Sequence, residues 1–347
     1  MAKLVLLVLL VLIVATGTSA ADDQPGAEQM FASVGALERA GNGDAVVARL
    51  REYIAKFGPR GGRDRLVIAY AKIGLTLWHR SCPVPELDGT CASSSAQPRL
   101  AVGSLPVRCG PQSRPLVTIV RRDPRKVKDA MNALDNAIIE LGRLPGSLGG
   151  DETTVRALHG QAKLVAADLD FEAYLAQGLP QGLDFEPSSH QTALDSVKRF
   201  DDWVSQKSGL GRRLVAKYEA VLAVNDAASS IGAAARIGQV AQGLFDALGG
   251  APIPASVRSG PEAGVKVAAF CDKLAAVAEL AEVHSIRAFE RCLAKSTELS
   301  WFDDSSKLCE RALERMRPDL YPPASELRAA PNATAPITAV EANPSSP

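Results

Sequence analysis

The chain has 347 residues, with 39 acidic side chains against 39 basic ones and only 5% aromatic residues. Balanced charge argues against nucleic acid as a partner, which calls for a basic footprint. Few aromatics and abundant alanine argue against a β-sandwich and for closely packed helices, in a chain long enough for one large core or two domains.

The opening stretch MAKLVLLVLLVLIVATGTSA (1–20) has the form of a secretory signal peptide: Lys3, an apolar run from Leu4 to Ala15, then small residues. Thr18 and Ala20 stand at −3 and −1 of a cleavage after Ala20, with Ala21 as the alternative. An uncleaved anchor is the weaker reading, because spanning a bilayer takes about 20 apolar residues. No cysteine lies at the junction, which argues against a lipoprotein. No later run is long enough to span, so the expectation is an exported protein, at most peripheral to a membrane.

Downstream, an N-terminal helical region (21–143) is expected to contain one long Cys-, Pro- and Gly-rich loop (81–118), with LVTIV (116–120) as a short strand. In DPRKVKDAMNALDNAIIELG, Asp123 is placed to cap a helix whose first residue is Pro124. Val127, Met131, Leu134, Ile138 and Leu141 repeat on one face. LPGSLGG (144–150) reads as a hinge. A C-terminal helical-repeat region (151–327) follows, opening on a helix with Val155, Leu158, Ala162, Val165, Leu169 and Ala173 on one face and Gly178 as its stop. Ile231, Ala234, Ile237, Ala241 and Leu244 mark an alanine-rich helix ending at Gly249-Gly250, and Phe270, Leu274, Val277 and Ala281 mark another. The last helix carries Asp303 and Asp304 at its start and Arg315 and Arg317 at its end, an order that complements the helix macrodipole. The tail (328–347) is rich in Pro, Ala and Ser and reads as disordered.

Helix-pair repeats of the tetratricopeptide type carry small, bulky and small residues at spacings of four and three in their second helix. SIRAFERCLAK supplies Ser285, Phe289 and Cys292 in that arrangement, with weaker echoes in VVARLREYIAKFGP (46–59) and SSKLCERALERMRPD (305–319). No strict 34-residue period runs through the chain. The fold class expected is all-α, a degenerate tetratricopeptide-like array with one disulfide-stapled long loop.

Six cysteines in an exported chain imply disulfides. They fall into two groups of three, Cys82, Cys91 and Cys109, then Cys271, Cys292 and Cys309. If all pair, at least one bridge crosses between the groups. Cys292 and Cys309 lie nearly symmetrically about Trp301, where antiparallel helices would bring them together. Cys82 and Cys91 flank a proline-rich turn and would close a small loop, which leaves Cys109 with Cys271. His79 with Cys82, Cys91 and Cys109 has the ligand types of structural zinc, but not the tight CxxC spacing, and an oxidising compartment would consume the thiols first. A catalytic Cys–His pair needs a free thiolate, and no second motif supports one.

LDFE occurs at 169–172 and 183–186. Paired carboxylates serve calcium or acid–base chemistry, yet EF-hand spacing is absent, and a solvated helix end and a turn are the simpler readings. FDDW (200–203) and WFDD (301–304) read as aromatic anchors beside capping acids, and His159, His190 and His284 as isolated surface or helix-end residues. RRDPRKVK (121–128) and RGGRDR (60–65) would make weak contact with an anionic envelope polymer, against the plainer reading of a solvated helix start. No GxSxG, HExxH, P-loop or dinucleotide motif is present.

KIGLTLWHRSCPVPELDGTC, CGP with VTIVRRDPRKV, FDDWVSQKS, AARIGQVAQGLFDAL and SIRAFERCLAKSTELSWFDDSSKLCERAL…YPPASEL together resemble exported tetratricopeptide-type envelope proteins of myxobacteria, some associated with adventurous gliding motility. The likeness covers about 65–328. A second tryptophan often follows the WF-acidic turn in that group, where this chain has Ser305. The resemblance implies a periplasmic or outer-envelope helical-repeat protein and supplies no catalytic residues. The expected function is therefore non-enzymatic: a scaffold binding other envelope proteins in a motility or secretion assembly, with no cofactor. The alternative is a periplasmic enzyme or ligand- or metal-binding protein with a site assembled from residues such as His79, Asp170 and Glu172.

Overall fold

A computed structural model describes residues 24–95, 104–110, 116–144, 152–185 and 190–322. The signal segment, the tail and most of the hinge (145–150) lie outside the described residues. Those described are mostly helical: α1 (Gln24–Arg39), α2 (Gly43–Lys56), α3 (Arg63–Ser81), α4 (Pro124–Leu141), α5 (Glu152–Ala176), α6 (His190–Leu222), α7 (Ala227–Gly249), α8 (Ala263–Glu298) and α9 (Asp304–Met316). Between α3 and α4, β1 (Ala92–Ser95) pairs antiparallel with β2 (Leu116–Ile119). β2 coincides with the expected strand, whereas β1 falls where only loop was expected. Its sequence, ASSS, has no β-branched residue, and its place is set by the partner strand.

Polar residues ahead of the apolar periods start several helices. The Asn42, Asp123, Asp226 and Asp303 side chains accept hydrogen bonds from the first-turn N–H groups of α2, α4, α7 and α9, satisfying donors that the helix itself cannot. Asp303 and Ser306 complete a reciprocal capping box.

Every helix packs on its neighbour in the chain, and α3, α5, α7 and α9 also pack on the next odd-numbered helix in turn. The odd helices from α3 onward thus form a continuous layer, while the even helices make no comparable contact with one another. Close approach depends on small residues. A Cβ on Gly74 of α3 would lie 2.6 Å from Leu134 of α4, and one on Gly238 of α7 would lie 2.5 Å from the Phe289 ring of α8. Ser285 Oγ donates to the Gly238 carbonyl (3.1 Å). Ser285, Phe289 and Cys292, the small–bulky–small set of the sequence, are all fully buried there.

Three local expectations are corrected. The buried face of α4 is its alanine face, Ala130, Ala133 and Ala137 with Leu134, and Ile138 is 37% exposed, because small side chains let α4 lie closer to α3 than the bulky row would. In the second half of α5, Leu169 and Ala173 face outward while Asp168 and Glu172 are buried. Finally, the Phe270–Ala281 period and SIRAFERCLAK belong to a single 36-residue helix, α8; nothing between Ala281 and Ser285 breaks it, so they are not separate helices of a pair.

The cysteines form three disulfides, Cys82–Cys91, Cys109–Cys271 and Cys292–Cys309. The first closes the Pro-Val-Pro loop, and the third ties α8 to α9. Cys109–Cys271 spans 162 residues, a closure worth about 5 kcal/mol in the chain-entropy picture. It ties residues 104–110 to α8, while the Ile253 N–H after α7 donates to the Val107 carbonyl (2.9 Å). No described helix is long and apolar enough to cross a membrane, and three disulfides suit an oxidising compartment.

Gly238→Ala is expected to destabilise the protein by about 1–3 kcal/mol, the range for overpacking a tight contact. Gly264→Ala, where a Cβ meets nothing within 4 Å, is expected to be neutral or stabilising by up to about 1 kcal/mol. Urea unfolding of the two variants checks both.

Candidate functional site

The loop between Cys82 and Cys91 contains an Asp88-Gly89 turn, with both residues at positive φ (49° and 74°). Leu87 and Thr90 exchange backbone hydrogen bonds across it (2.9 and 3.0 Å), the arrangement of a tight turn that favours Asp-Gly. A Cβ on Gly89 would lie 2.4 Å from the Arg236 guanidinium. Glycine is thus required twice over, for its conformation and for the arginine packed on it.

Two arginines fasten this loop to the helices. Arg236 of α7 is buried; its Nε and Nη2 reach Asp168 of α5 (2.8 and 3.1 Å), and its Nη1 and Nη2 donate to the carbonyls of Asp88 (2.9 Å) and Gly89 (2.8 Å). Tyr218 O–H donates to the same Asp168 (2.8 Å); burial, reinforced by Asp168, pushes the Tyr218 phenol well above its usual range. Arg122 lies between β2 and α4. Its Nε and Nη2 grip Glu172 of α5 (2.9 and 2.7 Å), its Nη2 also reaches Glu86 (2.7 Å), and its Nη1 donates to the Trp78 carbonyl (2.8 Å). The guanidinium sits 3.7 Å over the Trp78 ring, and the Cys91 N–H donates to Glu172 (2.8 Å). Burial opposes the Glu86 charge, but hydrogen bonds from His79 and Arg122 outweigh it and hold that carboxyl below its usual range. Bidentate, charge-assisted bonds of this kind are the strong ones. They hold charges that would otherwise be costly to bury.

A third buried cation works differently. Lys207 of α6 is fully buried and has no carboxylate partner among the described residues. Its ammonium donates to the Tyr174 and Gln177 carbonyls (both 2.8 Å) at the C-terminal end of α5 and lies 4.3 Å over the Tyr174 ring. A cation suits that end of a helix, yet burial pulls its pKa down to about 8.

The structure brings some sequence candidates together and separates others. His79 Nδ1 lies 2.9 Å from Glu86, so it joins the Arg122–Glu172 cluster, but Asp170 faces outward and pairs with Lys217. No described cysteine is free, so Cys82, Cys91 and Cys109 have no thiolate to offer zinc. No group of three His, Cys, Asp or Glu side chains able to hold a metal is found among the described residues. Glu172 is not a solvated helix end, since Arg122 neutralises it inside the protein. FDDW lies within α6, where Phe200 and Trp203 are buried and Asp201 and Asp202 cap nothing. In WFDD, Asp303 caps α9, but Trp301 and Phe302 are 46% and 70% exposed and anchor no core. His159 is half-buried and His284 exposed; the His190 side chain lies outside the described set.

Sequence reading missed Arg122, Arg236 and Lys207. The available signal was Asp168 and Glu172, four residues apart on one helix face among buried apolar positions, where carboxylates require partners. Two clefts among the described residues stand out. One of about 320 Å³ lies between α2, α3 and α4, with Ile54, Ile73 and Ala133 lining it beside the exposed carboxamides of Asn132 and Asn136. The other lies where α3 ends and α4 begins. No protein family, curated protein or solved structure matches this chain.

Arg122→Ala is expected to cost about 3–5 kcal/mol in chemical unfolding, because Glu172 stays buried without its cation. Asp170→Ala, which removes an exposed pair, should cost about 0–1 kcal/mol. Between pH 8 and 10.5 the unfolded chain holds the Lys207 proton more tightly than the folded one, so this residue makes stability rise with pH across that window. The full effect is about 3 kcal/mol. Unfolding free energies from pH 8 to about 9.5, below the ionisation of unfolded tyrosines, should show this slope in the parent and not in Lys207→Met.

Proposed function

We propose that the chain is a non-enzymatic scaffold of the bacterial cell envelope, a degenerate tetratricopeptide-like array that binds other envelope proteins in an assembly such as a motility or secretion machine. The observation that carries this reading is the packing order: each helix rests on its chain neighbours and α3, α5, α7 and α9 stack in succession. Stacking of that kind builds extended surfaces without closing them. The cleft between α2 and α4, floored by α3, is such a surface: apolar at its base and rimmed by Asn132, Asn136 and the Arg51–Asp129 pair (3.6 Å). Its carboxamides have no hydrogen-bond partner among the described residues and so can both donate to and accept from a bound backbone.

Three further points support the reading. The buried Arg122–Glu172 and Arg236–Asp168 pairs are spent on seating the 82–91 loop against the helices. The disulfides and the signal-like first 20 residues fit an exported protein. The sequence resemblance to myxobacterial envelope proteins points to the same setting.

The test is site-specific photo-crosslinking in living cells. A photoreactive residue at Asn132 or Asn136 is expected to capture a discrete envelope protein, and Asn136→Ala to reduce capture from position 132, as Asn132→Ala reduces it from position 136. Failure of both positions to capture any protein, together with intact envelope functions after gene deletion, would overturn the reading.

A further inference from the structure

The cleft at the junction of α3 and α4 has a volume of about 550 Å³, within the range of small-molecule sites. Four cationic side chains line it, Arg80, Arg121, Arg122 and Lys126, against one acid, Asp123. Their commitments differ. Arg122 is spent on Glu172 and Glu86, and Arg80 is shared with Asp44 at the rim. Asp123 is held by the N–H groups of Arg125 and Lys126 (2.9 and 3.3 Å), so it already occupies the N-terminus of α4. Lys126 donates only to the Arg80 carbonyl (3.2 Å). Arg121 is exposed, and neither it nor Lys126 has a carboxylate partner among the described residues.

We propose that this cleft binds a divalent oxyanion, a phosphate or the phosphomonoester end of a larger molecule, through Arg121 and Lys126 with Arg80 at its edge. Two uncompensated cations in one concavity match a charge of −2. A guanidinium fork offers parallel N–H groups to phosphate oxygens, and an ammonium adds a compact point charge. Arg122 does not reach the ligand; anchored below by Glu172, it fixes the backbone from which Arg121 projects. The cleft exceeds the needs of a phosphate alone and leaves room for the group that carries it. The other basic stretch, RGGRDR, takes no part: it lies at the opposite end of α3, where Arg63 pairs with Glu140 (3.2 Å), about 25 Å away at 1.5 Å per helical residue. The inference does not rest on the scaffold reading, since the cleft is separate from the α2–α4 surface.

Two titrations of the purified chain test it: inorganic phosphate by isothermal calorimetry, and sedimentation with phosphatidylcholine vesicles containing or lacking phosphatidic acid. Saturable binding is expected in one of them, weakened about tenfold or more in Arg121→Gln/Lys126→Gln, the factor carried by loss of a charge-assisted hydrogen bond. It should be unchanged in Arg60→Gln/Arg63→Gln. Dependence on Arg121 and Lys126 in the phosphate titration assigns a free or small phosphate; the same dependence only with phosphatidic acid assigns a lipid headgroup. The single variants Arg121→Gln and Lys126→Gln, each expected to lose part of the affinity, serve if the double variant melts early. Absence of binding in both titrations, or binding equal in parent and variants, would overturn the site.

Discussion

Two carboxylates one helical turn apart, Asp168 and Glu172, face the interior from α5, and much of the structure is arranged to neutralise them. An unpaired buried charge costs several kcal/mol even after relaxation, so each must meet a cation with little geometric slack. Arg236 comes from α7 and Arg122 from the linker before α4. Each also uses its remaining donors on the stapled loop or the helix end beside it. A loop with few apolar side chains of its own is thereby held to three helices, α3, α5 and α7. The Cys82–Cys91 bond closes the base of the loop, and the Asp-Gly turn at its tip meets Arg236 of α7.

The same economy explains the helical layers. Alanine and glycine bring α4 onto α3 and α8 onto α7 closely enough for dispersion contacts to accumulate, in a chain poor in large aromatics. Disulfides cross-link the packed α8–α9 contact and tie the 104–110 segment to α8. Lys207 serves a related purpose at the end of α5, where its ammonium ties the Tyr174 and Gln177 carbonyls to α6. On the proposed scaffold reading this rigidity is functional, because a preformed surface loses little entropy when a partner docks.

Much of this was legible in the residues. The caps at Asp123 and Asp303 and the strand at 116–119 follow from short-range chemistry, and an even number of cysteines allows all six to pair. The buried arginines were not legible. Arg122 sits in a run of basic residues that looks like a solvated helix start, and nothing local separates it from the exposed Arg121 beside it. Asp168 and Glu172 likewise resemble the exposed Asp170 between them. Partners 50 and 68 residues away decide which of these charges turn inward.

By itself, then, the amino-acid order determined where α4 and α9 start, with their caps at Asp123 and Asp303, and where α5 and α7 stop, because each depends on neighbours a few residues apart. Only the tertiary structure decided which face of α4 and of α5 is buried, that α8 runs unbroken, and that the RSCPVPELDGTC loop is seated by ion pairs as well as by its disulfide. Those outcomes depend on which distant surface arrives opposite each face. Burial of a charge is settled by the partner that meets it, and no local pattern encodes that meeting.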